Sequence, residues 1–310
     1  MPTTDNIAIH MDRGSMMQKA RRLFKDMDDL PTIPAVVSKV VALLDDVAAD
    51  PEKIADLILS DQVLAARVIR VVNSPFYRTN EKIVSIKRAL MHLGFKNVRE
   101  LILVSYFIDS FSQKQQAFDM KQFWVHSFTV GALSRRIADQ IGYPDSDRAN
   151  LVGIIHDIGK VFLGHYCRSV YEHMLAKLGR VGYNTYEAEY EFFGTTHCEL
   201  GLCLAQHWNF PHLYCEVISC HHTPALSTED PLLTSIVSLS DFLSFSRLAQ
   251  SEGASAILPG PPEKLAWRLI GERAVKPITP VLQQFLAKLS EVFDEVDQEV
   301  DLLFNSMTST

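Results

Sequence analysis

The chain predicts an all-α protein of two helical lobes, and three observations lead there. Apolar residues recur at helical spacing in almost every periodic segment. No stretch alternates apolar and polar residues as a half-buried strand would, and no NG or DG hairpin signal occurs. Residues suited to starting and stopping helices bracket the periodic segments.

Taken in order, residues 1–15 read as a loose leader and Met16 to Met27 as a first helix. In LPTIPAVVSKVVALLDD, Pro34 opens a helix whose stripe is Val36, Val37, Val40, Leu43 and Leu44. Asp50 and Pro51 are cap and first-turn proline of the next helix, which buries Ile54, Leu57 and Ile58. Asp61 starts another, with Leu64, Val68, Val71 and Val72 inward, ending at the turn NSPFYR. Ser85 caps IKRALMHLG, which Gly94 stops, and NVRELILVSYFIDSF follows as a separate apolar helix. The polar stretch 112–122 joins the lobes.

The second lobe opens with FWVHSFTVGALSRRIADQIG, where His126, Val130, Leu133 and Ile137 share one face. Gly142 and Pro144 end it, and Asp145 or Ser146 caps the aliphatic helix that carries His156 and Asp157. Thr196 and Glu199 form a capping box, which sets His197 in the first turn of a helix. A helix over 211–222 ends in CHHTP, and PLLTSIVSLSDFLSF places Asp241 on the face of Leu233 and Val237. After the loop SEGASAILPGPPEK come helices near 262–270 and 278–304. The expected organisation is leader and first helix over 1–22, a first lobe over 23–118, a second over 119–248, and a C-terminal helical extension over 249–310.

Bulk properties narrow the function. A net charge of −7 argues against phosphate-backbone binding, and the short basic segment KARRLFK is a weak counter-argument, so nucleic acid is an improbable partner. No run of about 18 apolar residues spans a membrane, and the amino terminus lacks a signal-peptide core, so a cytoplasmic protein is expected. Five cysteines without a CxxC pair read as reduced, mostly buried thiols.

Polar residues stranded on apolar helical faces carry the chemistry. They are His126, His156, Asp157, His197, His221, His222 and Asp241. One such histidine is ordinarily a hydrogen-bonded core residue. Seven imidazoles and carboxylates drawn from five helices share one economical explanation, a divalent transition ion (Fe, Mn or Zn). Asp157 has two oxygens and can bridge two ions. Gly159 is read as leaving room for a ligand. Lys160 is read as lying one turn beyond His156 on the same helix face, within reach of a phosphate oxygen, with a solvated surface lysine as the competing reading. His207, His212, His165 and His173 read as capping, packing or surface residues. Glu187, Glu189 and Glu191 read as a solvated face from which one carboxylate could approach a metal.

The set H…HD…D, carried by His126, His156–Asp157 and Asp241, resembles the HD superfamily of metal-dependent phosphohydrolases. More closely, the chain resembles the HDOD domain, an HD-related output domain. The matching segments are LPTIPAVVSKVVALL, ADLILSDQVLAARVIRVVNSPFY, IVSIKRALMHLGFKNVRELIL, GIIHDIGK, HCELGLCLAQHWNFP and ISCHHTP, within residues 23 to 245. The resemblance implies a two-lobed helical HDOD fold with an HD-like bundle as second lobe, and a bacterial signalling or regulatory role. It implies partners among signalling proteins or phosphorylated small molecules. An active metal-dependent phosphohydrolase is the alternative, with Asp157 and Lys160 in catalytic roles and one or two ions bound. Compared with the cyclic-dinucleotide phosphodiesterase branch, the chain has Gln122 in place of a glutamate ligand and reads TPALSTEDP after His222, with no GYP motif. This argues against cyclic di-GMP as substrate.

Overall fold

The computed structural model describes residues 12–27, 30, 33–44, 49–73, 82–112, 116–178, 185–251, 261–273, 288 and 290–298. Among them there is no strand. Residues 1–11 of the expected leader, positions 74–78 of the NSPFYR turn, most of the loop after Ser251 and most of the helix expected over 278–304 lie outside the described residues. The chain divides into two compact units. One draws on Met1–Leu30 and Lys114–Phe285, the other on Pro31–Gln113 and Leu286–Thr310.

The second of these is built from α2 (Ala35–Leu44), α3 (Pro51–Leu59), α4 (Gln62–Val72) and α5 (Ile86–Ser112). Asp50 caps α3 through the amide of Glu52, with Pro51 in the first turn as expected. Val37, Val40, Ile54, Ile58, Leu64, Val68, Ile86, Leu90 and Ile102 close a single aliphatic core. Each such side chain contributes roughly 1.5–3 kcal/mol when fully buried. Asn73 ties the end of α4 to the next segment: its amide donates to the carbonyls of Ile69 and Ile83 and accepts from the Ile83 amide at 2.7 Å. Gly94 turns the chain at φ 77°, but helix resumes at once, so α5 is two helical segments meeting at a kink rather than a helix stopped by a loop. Residues 290–298 of this unit are helical, with Phe293 and Val296 buried.

The other unit comprises α1 (Arg13–Lys25), α6 (Met120–Ile141), α7 (Ser146–Ile155), α8 (Ile158–Tyr166), α9 (Arg168–Leu178), α10 (Thr185–Phe193), α11 (His197–His207), α12 (His212–Cys220), α13 (Pro231–Ser251) and α14 (Pro261–Arg273). Here α7 packs along α6, α13 lies against α6, and α11 packs on α8 and α12. Helix α1 covers α11, burying Met16 and Ala20. Gly142, left-handed at φ 76°, ends α6, and Asp145 caps α7. No helix among the described residues is long and apolar enough to cross a membrane. The five cysteines are free, and four of them are buried.

Candidate metal centre

Local chain geometry explains how the polar residues converge. His156 and Asp157 do not sit inside one helix, as expected, but at the break between two: His156 closes α7 and Asp157 is the N-cap residue of α8. A capping aspartate ordinarily accepts from its own helix amides. The Asp157 side chain makes no such bond; its carboxylate turns to the cluster. His197 is the first residue of α11, fixed by the expected capping box of Thr196 and Glu199. His221 closes α12 and His222 follows it. His126 and Asp241 project from the middles of α6 and α13.

The seven expected residues form two groups that share Asp157. One is Asp157, His197, His221 and His222; the other is His126, His156, Asp157 and Asp241. Within each group the candidate donor atoms lie within 4.8 Å of one another. The two oxygens of Asp157 divide the work. Oδ1 faces Nε2 of His197 at 3.2 Å and of His221 at 3.6 Å. Oδ2 faces Nε2 of His156 at 3.4 Å and of His126 at 3.6 Å. Asp241 Oδ1 lies 3.2 Å from His126 Nε2 and 3.5 Å from His156 Nε2.

The far nitrogens of four histidines are held from behind. Nδ1 of His156 donates to the Gly153 carbonyl at 2.7 Å, and that of His221 to the Ile218 carbonyl at 2.9 Å. Nδ1 of His197 donates to Glu189 Oε2 at 2.6 Å, and Nδ1 of His126 pairs with the Ser244 hydroxyl at 3.0 Å. A carbonyl only accepts, so this fixes the tautomers of His156 and His221 with Nε2 facing inward, the arrangement by which outer partners orient metal-binding imidazoles.

Electrostatics at the centre call for positive charge. Burial works to raise Asp157, yet His156, Lys160 and His197 hold it well below the ordinary carboxylate range. Asp241 is held well below it too: burial opposes ionisation, and the neighbouring His126 and His156 rings prevail. Burial opposes protonation of His156, but Asp157 and Asp241 bring it up to about 10. Burial pushes His221 down, and His222 further, with its histidine neighbours adding to the effect. The Nε2 atoms of His197 and His221 face each other at 3.2 Å. His156 Nε2, Asp157 Oδ1 and His222 Nε2 are buried without a hydrogen-bond partner. A buried set of this kind is costly unless a cation joins it, and mixed imidazole and carboxylate donors suit a divalent transition ion. The residues therefore fit a metal.

Three readings from sequence need correction. Lys160 is neither a surface lysine nor on the helix of His156. It lies in α8, and its Nζ binds Asp157 Oδ2 at 2.5 Å. Gly159 does not leave room for a ligand: a Cβ there would stand 1.9 Å from the His197 carbonyl oxygen. Its missing side chain lets α8 and α11 touch backbone to backbone, which brings Asp157 to His197. The acidic run is not wholly solvated either. Glu189 is fully buried; one oxygen takes both the Nδ1 and the amide of His197, and the other accepts from the Tyr171 hydroxyl at 3.1 Å. Sequence reasoning treated it as one of three glutamates, although Tyr186, Glu189 and Phe193 share a helix face whose other members are apolar. His207 and His212 stay outside the cluster at helix ends, His212 pairing with Glu229. Gln122 is exposed in the first turn of α6.

Comparison with known proteins agrees with this picture. An HDOD domain protein of unknown function from Geobacter sulfurreducens superposes with a TM-score of 0.74 at 26% identity, covering 93% of this chain and 99% of its own. A Shewanella amazonensis SB2B protein provisionally named a phosphohydrolase shares the fold, with a TM-score of 0.65 at 21% identity and coverage of 90% and 97%. An uncharacterized protein of Treponema pallidum (strain Nichols) is 24% identical over 221 residues, 68% of this chain; the match spans only 41% of that relative's length. The HDOD domain model matches residues 30–224, more than half of the sequence, and the chain belongs to the HDOD domain family.

Proposed function

We propose that this HDOD protein is a regulatory component of bacterial signal transduction that holds one or two divalent transition ions, Fe, Mn or Zn, at its His/Asp cluster. One observation carries the proposal: the two oxygens of Asp157 face two separate sets of imidazole nitrogens, in a setting where four of the five histidines are oriented from behind. Its ligand would be a signalling protein or a phosphorylated small molecule, met in the cytoplasm. Elemental analysis of the purified protein tests it. Bound transition metal in the wild type, reduced at least tenfold in Asp157→Ala, supports the reading; a metal-free wild type that takes up none on incubation removes it.

A second reading, a metal-dependent phosphohydrolase, is favoured by the openness of one side of the cluster. The side chains of His126, Asp241 and Lys160 keep 18%, 15% and 20% of their exposure, while those of His156, His197 and His221 keep none. A bound ion supplies an activated water near neutral pH. Asp157 would orient the donors, and Lys160 would offer its ammonium to a phosphoryl oxygen. Turnover of bis(p-nitrophenyl) phosphate that disappears in Asp157→Ala would establish this reading; a metal-loaded protein without turnover would leave the regulatory one.

A further inference from the structure

We infer that the two halves of the cluster fill in order, the His197–His221–His222 half first, because Glu189 reinforces that half while Lys160 opposes the other. The inference rests on metal binding at the cluster, as proposed above. Carboxylate count alone would favour the opposite order, since Asp241 adds a second negative charge to the half containing His126 and His156. Two features reverse it.

The first is Glu189. Its Oε2 takes both the ring Nδ1 and the backbone amide of His197, at 2.6 Å and 2.7 Å, so ring and main chain are fixed by one atom. Its Oε1 is itself anchored by Tyr171. Nε2 of His197 is thereby aimed into the cluster, toward Asp157 Oδ1 and His221 Nε2. A buried carboxylate behind an imidazole makes the far nitrogen a stronger donor. Among the histidines of the other half, His156 has only a carbonyl in that position and His126 only a hydroxyl.

The second is Lys160. Its ammonium binds Asp157 Oδ2, the oxygen that faces His126 and His156, and so places positive charge where a second ion would draw on the same carboxylate. Asp157 Oδ1 carries no such partner. Solvent also reaches two members of that half, His126 and Asp241, and so weakens their interactions, whereas in the other half only His222 is partly exposed and His197 and His221 are sealed.

Glu189 is therefore a positioning residue for one half-site. The test is titration of the metal-free full-length protein with Co(II), a visible divalent probe with affinity for imidazole, followed by d–d absorption and calorimetry. The wild type should bind in two steps at least about tenfold apart in affinity. Glu189→Gln should weaken the tight step about 10- to 100-fold and leave the weak step in place. Tyr171→Phe should weaken the same step about two- to tenfold, the worth of one hydrogen bond. Lys160→Met should tighten the weak step and narrow the gap. A merely structural role for Glu189 would move both steps together, through the shared Asp157, and would overturn the inference. So would two equal steps in the wild type, which leave metal binding standing, while a wild type that binds no Co(II) overturns both ideas. Should Glu189→Gln fail to fold, as judged by circular dichroism, Tyr171→Phe and Lys160→Met decide the matter.

Discussion

The two units of this molecule solve the problem of an interior differently. Around α2 to α5 the clustered core is aliphatic, with Phe95 and Tyr106 packed against it, and its stability follows from apolar area removed from water. Around α6, α7, α11 and α13 the interior holds His156, Asp157, Glu189, His197, Glu199 and His221, all nearly or wholly buried. Charges taken out of water cost several kcal/mol each before compensation. A chain that can build the first kind of core has no need of the second kind for folding, so the buried polar set marks the unit to which the proposed function assigns the metal.

Asp157→Ala should break the comparison most severely. It removes both carboxylate oxygens from the cluster and leaves Lys160 and His156 without their partner, so metal content should fall at least tenfold. The metal-free protein should lose roughly 3–5 kcal/mol, the usual effect of orphaning one side of a buried pair. Elemental analysis and chemical denaturation check the two parts. Ile58→Ala, in the aliphatic core and fully buried, should cost a comparable 2–5 kcal/mol, roughly, while leaving metal content at the wild-type value. If metal were lost there too, the division of labour between the units would be wrong.

Gly159→Ala sharpens the comparison, because it perturbs the polar interior through backbone alone. The added methyl group meets the His197 carbonyl, and forcing α8 from α11 should cost about 1–3 kcal/mol together with a loss of metal affinity. The smallest effect is expected at Glu216, whose carboxylate accepts from the Ser227 and Thr228 hydroxyls and the amides of Thr228, Glu229 and Asp230. Burial works to raise it, but these bonds hold it down at about 2, against an ordinary value of 4.5. A depressed carboxylate stabilises the fold fully above its unfolded value and loses that contribution as pH falls from about 4.5 through about 2. Glu216→Gln should therefore be less stable than wild type by roughly 1 kcal/mol at pH 7, solvent screening limiting the effect. The gap should shrink when denaturation is repeated at pH 3.

Most of the fold and the seven residues that gather in the His/Asp cluster were legible because they depend on local rules. Asp50 and Pro51, Thr196 and Glu199, and Gly142 announce helix ends through their own backbone chemistry. The stranded histidines stand out against apolar neighbours. What was not legible depends on contacts between helices. LVGIIHDIGK reads as one continuous helix, since neither His156 nor Asp157 is a strong breaker, yet the chain turns there and the Asp157 side chain faces the cluster instead of capping α8. The roles of Gly159 and Lys160 were misjudged for the same reason: the neighbour that decides each, the His197 carbonyl for one and the turned carboxylate of Asp157 for the other, is set by folding rather than by helical spacing. Glu189 was hidden by its charged neighbours Glu187 and Glu191.

Helix α1 carries a consequence for how the protein is made. Arg13 donates to the Ser219 carbonyl, 206 positions along the chain, and reaches toward Glu199. During synthesis α1 precedes α2–α5, yet its docking surface on α11 emerges only after the whole α2–α5 unit has been translated. Helix α1 therefore waits, undocked, until α11 has been made. The span matched by the family begins at residue 30, so a chain trimmed to that span would uncover the side of α11 against which Met16 and Ala20 rest.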